Sequence, residues 1–154
     1  MRTPFDETWN RWVKVSVANH FKTLESDTFF FVEGFERDTN GEQDWIEVRL
    51  DGPYVTELTK DRWKLYIEVN IICCVAENNN NAYRMDEITG LVVKRMLDCI
   101  SVHQGLVSPV LIGCLDLVPF NARQKILVNN FGKLRPDTRF IQSSVEGHYQ
   151  MFID

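Results

Sequence analysis

The hydrophobic positions of this chain change period several times, and each change predicts an element. From residue 3 to 25, Trp9, Trp12, Val13, Val17, Phe21 and Leu24 fall on one face at helical spacing. Thr3 suits the cap of this helix, Pro4 its first position, and Asp6 and Glu7 the positive end of its dipole. Phe29 to Phe35 is a short apolar strand, and Trp45 to Leu50 alternates, with Ile46, Val48 and Leu50 against Trp45, Glu47 and Arg49. Between them lies a polar stretch containing Asn40-Gly41, so the two strands read as a hairpin with a long charged loop. Asp51-Gly52-Pro53 ends the second strand, and residues 54–61 form a connector.

The longest strand follows, from Arg62 to Val75. Trp63, Leu65, Ile67, Val69 and Ile71 face one way, and the mixed set Lys64, Tyr66, Glu68, Asn70 and Ile72 the other. After an Asn-rich break, residues 83–102 carry a second amphipathic helix, with Met85, Ile88, Val92, Met96 and Cys99 as its stripe. Val110 to Val118 is a further strand, residues 119–138 are turn-rich, and Arg139 to Ile153 is a terminal strand or hairpin in which Val145, Tyr149, Met151 and Ile153 alternate around Gly147. Strands outnumber helices and follow one another through turns. The expected fold is α+β: a mainly antiparallel, strongly curved sheet with two helices packed on one face. At 154 residues the chain reads as one domain, 1–154.

Composition narrows the function more than the fold. A net charge of −5 argues against a nonspecific nucleic-acid binder, which would show a basic patch. No apolar run is long enough for a membrane span, and Met1 to Glu7 has no signal-peptide core, which predicts synthesis in the cytoplasm and no membrane partner. Cys73, Cys74, Cys99 and Cys114 lack zinc-type pair spacing and read as reduced thiols.

Candidate chemistry is thin. Cys99 and His103, four apart at the end of the expected second helix, could share a helix face and begin a metal site, but the spacing names no further ligands. His20, His103 and His148 are far apart, and no Ser or Cys sits in a nucleophile elbow. No phosphate-binding Gly loop is present. The chain therefore reads as no enzyme, with no cofactor and no metal. Two surfaces stand out instead. Glu36, Asp38, Glu42 and Asp44 gather carboxylates in one loop. Trp45, Glu47 and Arg49 share the outer side of a strand, a mixture that suits a partner-facing surface. Because the chain ends on a strand, Tyr149, Met151 and Ile153 join them as expected subunit-interface residues.

Three segments carry a resemblance: Asp44-Trp45-Ile46-Glu47-Val48-Arg49-Leu50-Asp51-Gly52-Pro53, then Trp63-Lys64-Leu65-Tyr66-Ile67-Glu68-Val69-Asn70-Ile71, then the Asn-rich break leading into the Tyr83 to Ile100 helix. With the order of elements around them, they resemble the tail terminator (tail completion) proteins of tailed bacteriophages, including the lambda-type minor tail protein that caps the tail tube. The resemblance implies a structural virion protein at the head-proximal end of the tail, assembled in the host cytoplasm. Copies form a ring, usually of six, that ends tube growth and joins the tail to the neck. Implied partners are the tail tube protein, a neck or head-completion protein and, in a contractile tail, the sheath protein. DNA passes through the channel without specific binding, and an acidic bore would repel its phosphates. The loop Glu36 to Asp44 is then the expected element at the bore or between rings, and neutralising it is expected to leave folding intact. Two other readings stay open: a different neck ring, such as a head-completion stopper or adaptor, and a small-ligand module with an apolar pocket between the second helix and the sheet.

Overall fold

In the computed structural model, the described residues are 8–35, 37–77, 83–105, 107–133 and 139–154. Helix α1, Trp9–Phe21, buries Val13, Val17 and Phe21 on a single stripe, as the helical spacing requires. It gives way to a tighter 3-10 turn over Lys22–Ser26, four residues short of the expected α-helical end. There the Thr23 hydroxyl donates to His20 O and the Ser26 hydroxyl to Thr23 O, local bonds that compete with a regular helix. Its expected cap and first turn, Thr3 to Glu7, lie outside the described residues.

Strand β1 is Phe29–Val32 and β2 is Asp44–Thr59. They do not form the expected hairpin: they pair in parallel, Phe29 beside Trp45 and Val32 beside Val48. A period of two marks both strands but is blind to their relative direction. Residues 33–35 and 37–43 instead belong to the return to the starting end, aided by Gly34 and Gly41 at φ 89° and 84°. Nor does β2 stop at Asp51-Gly52-Pro53. A bulge between Asp51 and Tyr54 absorbs the Gly-Pro pair, with Gly52 at φ 108°, and the strand runs on through the expected connector. Proline is tolerated because, among the described residues, this stretch has a strand neighbour on one side only, so its missing N–H need not remove a ladder bond.

Strand β3, Arg62–Ala76, pairs with β2 on one side and with β7, Phe140–Ile153, on the other, from Trp63 beside Ile153 to Ala76 beside Phe140. Helix α2, Arg84–Met96, is shorter than expected. Past it, Ile100 and Val102 are buried while Ser101 and His103 are exposed, a strand alternation that makes β4, Ile100–Gln104. Cys99 and His103 consequently share no helix face. Strands β5, Val110–Val118, and β6, Ile126–Lys133, follow, the latter inside the turn-rich stretch. The sheet runs β1-β2-β3-β7-β5-β4, with β6 also beside β7. Every pairing except β1–β2 is antiparallel.

The result is an α+β fold with a curled, mixed sheet. One core joins both helices to the inner sheet face: Val17 and Phe21 of α1, Ile88, Val92 and Met96 of α2, and Leu65, Ile67, Val69 and Ile71 of β3. Gly147 leaves room for this packing on β7, since an added Cβ would lie 3.1 Å from both Leu117 Cδ1 and Met96 Cε. Beside it, the buried Tyr149 hydroxyl donates to Met96 O at 2.7 Å, tying α2 to the sheet. No helix among the described residues is long and apolar enough to cross a membrane.

Candidate assembly surface

The terminal strand is not an edge. On one side β7 pairs with β3; on the other it pairs with β6, from Ile126 beside Gly147 to Lys133 beside Ile141, and with β5 at residues 148–150. Tyr149 is fully buried and Met151 is 4% exposed, so neither is a surface residue of the folded chain, and the expectation that they form a subunit interface is overturned. Ile153 is half-buried against the same core. The alternation was legible, but its sides were reversed. Val145, Gly147, Tyr149 and Met151 face the helices, and Glu146, His148, Gln150 and Phe152 face away. The glycine and apolar residues sharing one parity, against polar residues on the other, were the available signal.

Trp45, Glu47 and Arg49 do lie on the outer face. Trp45 is half-buried, its ring 4.9 Å from that of Phe140 in the same chain. Glu47 accepts a bond from Arg49 Nη2 at 3.0 Å. Beside Trp45 on the same face, Cys74 is buried, which pushes its thiol up to about 11, while Cys73 faces the core and is pushed up to about 12 for the same reason. Both are free thiols protected from reaction by burial.

The carboxylate loop divides. Glu36 lies outside the described residues. Asp38 is exposed and accepts a bond from the Asn40 amide at 2.9 Å, and Glu42 is half-buried. Asp44 is not part of a projecting loop: it opens β2 and is bound from two sides. Arg84 Nε, at the start of α2, lies 2.9 Å from one carboxylate oxygen, and the Thr28 hydroxyl donates to the other. Arg84 Nη2 also reaches Asp27 O at 2.7 Å. Asp44 and Arg84 therefore latch α2 to the start of β2.

The sheet's flanks are uneven. At β4, the Ser16 hydroxyl of α1 accepts the His103 amide at 3.0 Å, so a helix covers that border. On the β2 flank, β1 reaches only Val48, and among the described residues no strand pairs with the same side from Arg49 to Thr59. Tyr54 and Leu58 stand there 52% and 46% exposed. On the opposite flank, β6 has β7 on one side and no described strand on the other, and its Val128 and Phe131 are exposed. Among the described residues the chain thus presents two different open borders, on opposite sides of the β2-β3-β7-β6 block.

Two further features belong to this surface. An open cleft of about 550 Å³ lies between α1 and β1, lined by Val15, Ala18, Phe30, Phe31 and Leu50 with Lys14 and Lys22 among its polar residues. It is not the pocket expected between α2 and the sheet. On the outer face, Glu68, Glu146 and His148 converge. Sequence reading missed this cluster because its members are brought together only by the β3–β7 register.

Compared with protein-family models and with curated proteins, the sequence matches none of them. What the geometry defines is a class: a curled-sheet α+β domain with, among the described residues, two open borders.

Proposed function

We propose that this chain is the repeating subunit of a ring that caps the tail tube of a tailed bacteriophage, ends tube growth and joins the tail to the neck. The observation that carries the reading is the pair of unlike open borders. A contact between the β2 border of one copy and the β6 border of the next is heterologous, so each addition leaves a fresh border, and a suitable rotation closes the series into a ring. Exposed Tyr54, Leu58, Val128 and Phe131 supply apolar surface at these two borders. The net charge of −5 suits a channel through which DNA must slide. The particular ring, a tail terminator ahead of a stopper or adaptor, rests on the resemblance of residues 44–53 and 63–71 to that family.

Light scattering after gel filtration tests the assembly, alone and with isolated tail tubes. The wild-type chain is expected at several times the subunit mass in at least one condition. Leu58→Lys and Phe131→Lys, one on each border, should each return it to a folded monomer. Assembly unaffected by both substitutions removes the border mechanism. The cleft beside α1 favours the ligand-module reading as the second one; a wild-type monomer under both conditions would leave that reading standing.

A further inference from the structure

The outer face of the sheet carries a side-chain cluster that ring assembly does not use. In the β3–β7 ladder Glu68 lies beside His148, and Asn70 beside Glu146. These are successive outward positions on both strands, so the four side chains stand at the corners of one block and can converge over its centre. His148 Nε2 lies 3.2 Å from Glu146 Oε1 and 3.8 Å from Glu68 Oε1. The donor atoms of all three residues fall within 4.8 Å of one another.

Those spacings suit donors on one ion. Two ligands each about 2.1 Å from a tetrahedral metal stand roughly 3.4 Å apart. The surroundings add to the fit. Tyr66 donates its hydroxyl to Glu68 Oε1 at 2.9 Å, the kind of outer contact that orients a ligating carboxylate. The Phe120 and Tyr66 rings lie 4.2 and 5.7 Å from the His148 ring and restrict its rotation. The side chains of His148, Glu146 and Glu68 are 20%, 29% and 33% exposed, buried enough to limit screening and open enough for an ion to enter. Among the described residues, neither carboxylate has a lysine or arginine within salt-bridge distance. A separate observation comes from Asn70, whose Oδ1 is buried without a hydrogen-bond partner beside this block. Such an orphan acceptor is costly unless something supplies positive charge or a donor.

We propose that Glu68, Glu146 and His148 bind a divalent metal ion of the zinc class, with Asn70 Oδ1 available as a fourth donor. The imidazole nitrogen selects against calcium and magnesium, which take oxygen ligands, and the mixed nitrogen–oxygen set suits zinc. The site joins the two central strands, so the ion acts as a clip on the sheet's outer face.

Calorimetric titration of the full chain with zinc chloride, in a buffer without chelator, tests this. The expected result is one zinc ion per chain. Glu146→Gln and His148→Gln should each weaken it by about tenfold or more, and Cys99→Ser/Cys114→Ser should leave it unchanged. Should either ligand variant fail to fold, the wild-type chain still decides. In its NMR spectrum zinc should shift the ring signals of His148 and leave those of His20 and His103 in place. No uptake by the wild-type chain would overturn the proposal, leaving His148 as a hydrogen-bond partner of the Glu146 carboxylate. Uptake that survives both ligand variants but is lost with the cysteines would overturn it in favour of a thiol site.

Discussion

Asp44→Asn offers a sharp test of the packing, because the loop reading and the structure predict opposite outcomes. If Asp44 were one more carboxylate of a projecting loop, neutralising it would leave stability untouched. In the structure its carboxylate lies 2.9 Å from Arg84 Nε, with side-chain exposures of 17% for Asp44 and 23% for Arg84. At an effective dielectric of about 20, a pair at this distance attracts by about 6 kcal/mol before desolvation and side-chain ordering are subtracted. Exposed pairs retain about 0–1 kcal/mol, and breaking a fully buried one costs about 3–5 kcal/mol. A largely covered pair with an added hydroxyl bond from Thr28 falls between, at about 2 kcal/mol. For a chain of this size that lowers Tm by roughly 4–8 °C. Asp38→Asn, at an exposed position, should shift Tm by less than about 2 °C. Thermal unfolding of Asp44→Asn, Arg84→Met and the double variant completes a cycle, in which the coupling should be about 1–2 kcal/mol. Additive single effects, or an Asp44→Asn protein as stable as Asp38→Asn, would refute the latch.

Two further outcomes follow from buried polar groups. Tyr149→Phe removes the hydroxyl bonded to Met96 O in the core and should cost about 1–2 kcal/mol in denaturant unfolding with the fold intact. His20 has its pKa lowered below 6.5, first by burial and also by Arg95, against opposing effects of its bond to Arg95 O and of Asp98. The folded state therefore favours the neutral ring. Its contribution is full above about pH 6.5 and is lost as pH falls through the folded pKa, and His20→Gln should flatten the stability profile over that window.

What the sequence made legible was local. The four-residue spacing of Val13, Val17 and Phe21 marks a helix whatever surrounds it, and the alternation of Leu65, Ile67, Val69 and Ile71 marks a strand with one buried face. What it hid depends on partners. Strand periodicity cannot tell a parallel from an antiparallel neighbour, so β1 and β2 were read as a hairpin. Gly52-Pro53 would end a central strand, yet β2 passes through it at an open border. Strand β6 was hidden by Asn129, Asn130 and Gly132, which interrupt its apolar Ile126, Leu127, Val128 and Phe131. The side of β7 that faces inward, and with it the burial of Tyr149 and Met151, follows from where α2 lands. Glu68 and Glu146 face each other's ladder only once the β3–β7 register is set, so that cluster had no local signature.

The proposed ring rests on one claim, that neighbouring copies complete the open borders of β2 and β6. Electron microscopy of the purified protein, and of tail tubes incubated with it, reads this directly. The account predicts rings with a central hole, free or seated on one end of the tube. Single particles of subunit size in both samples, with tube ends left bare, would contradict it.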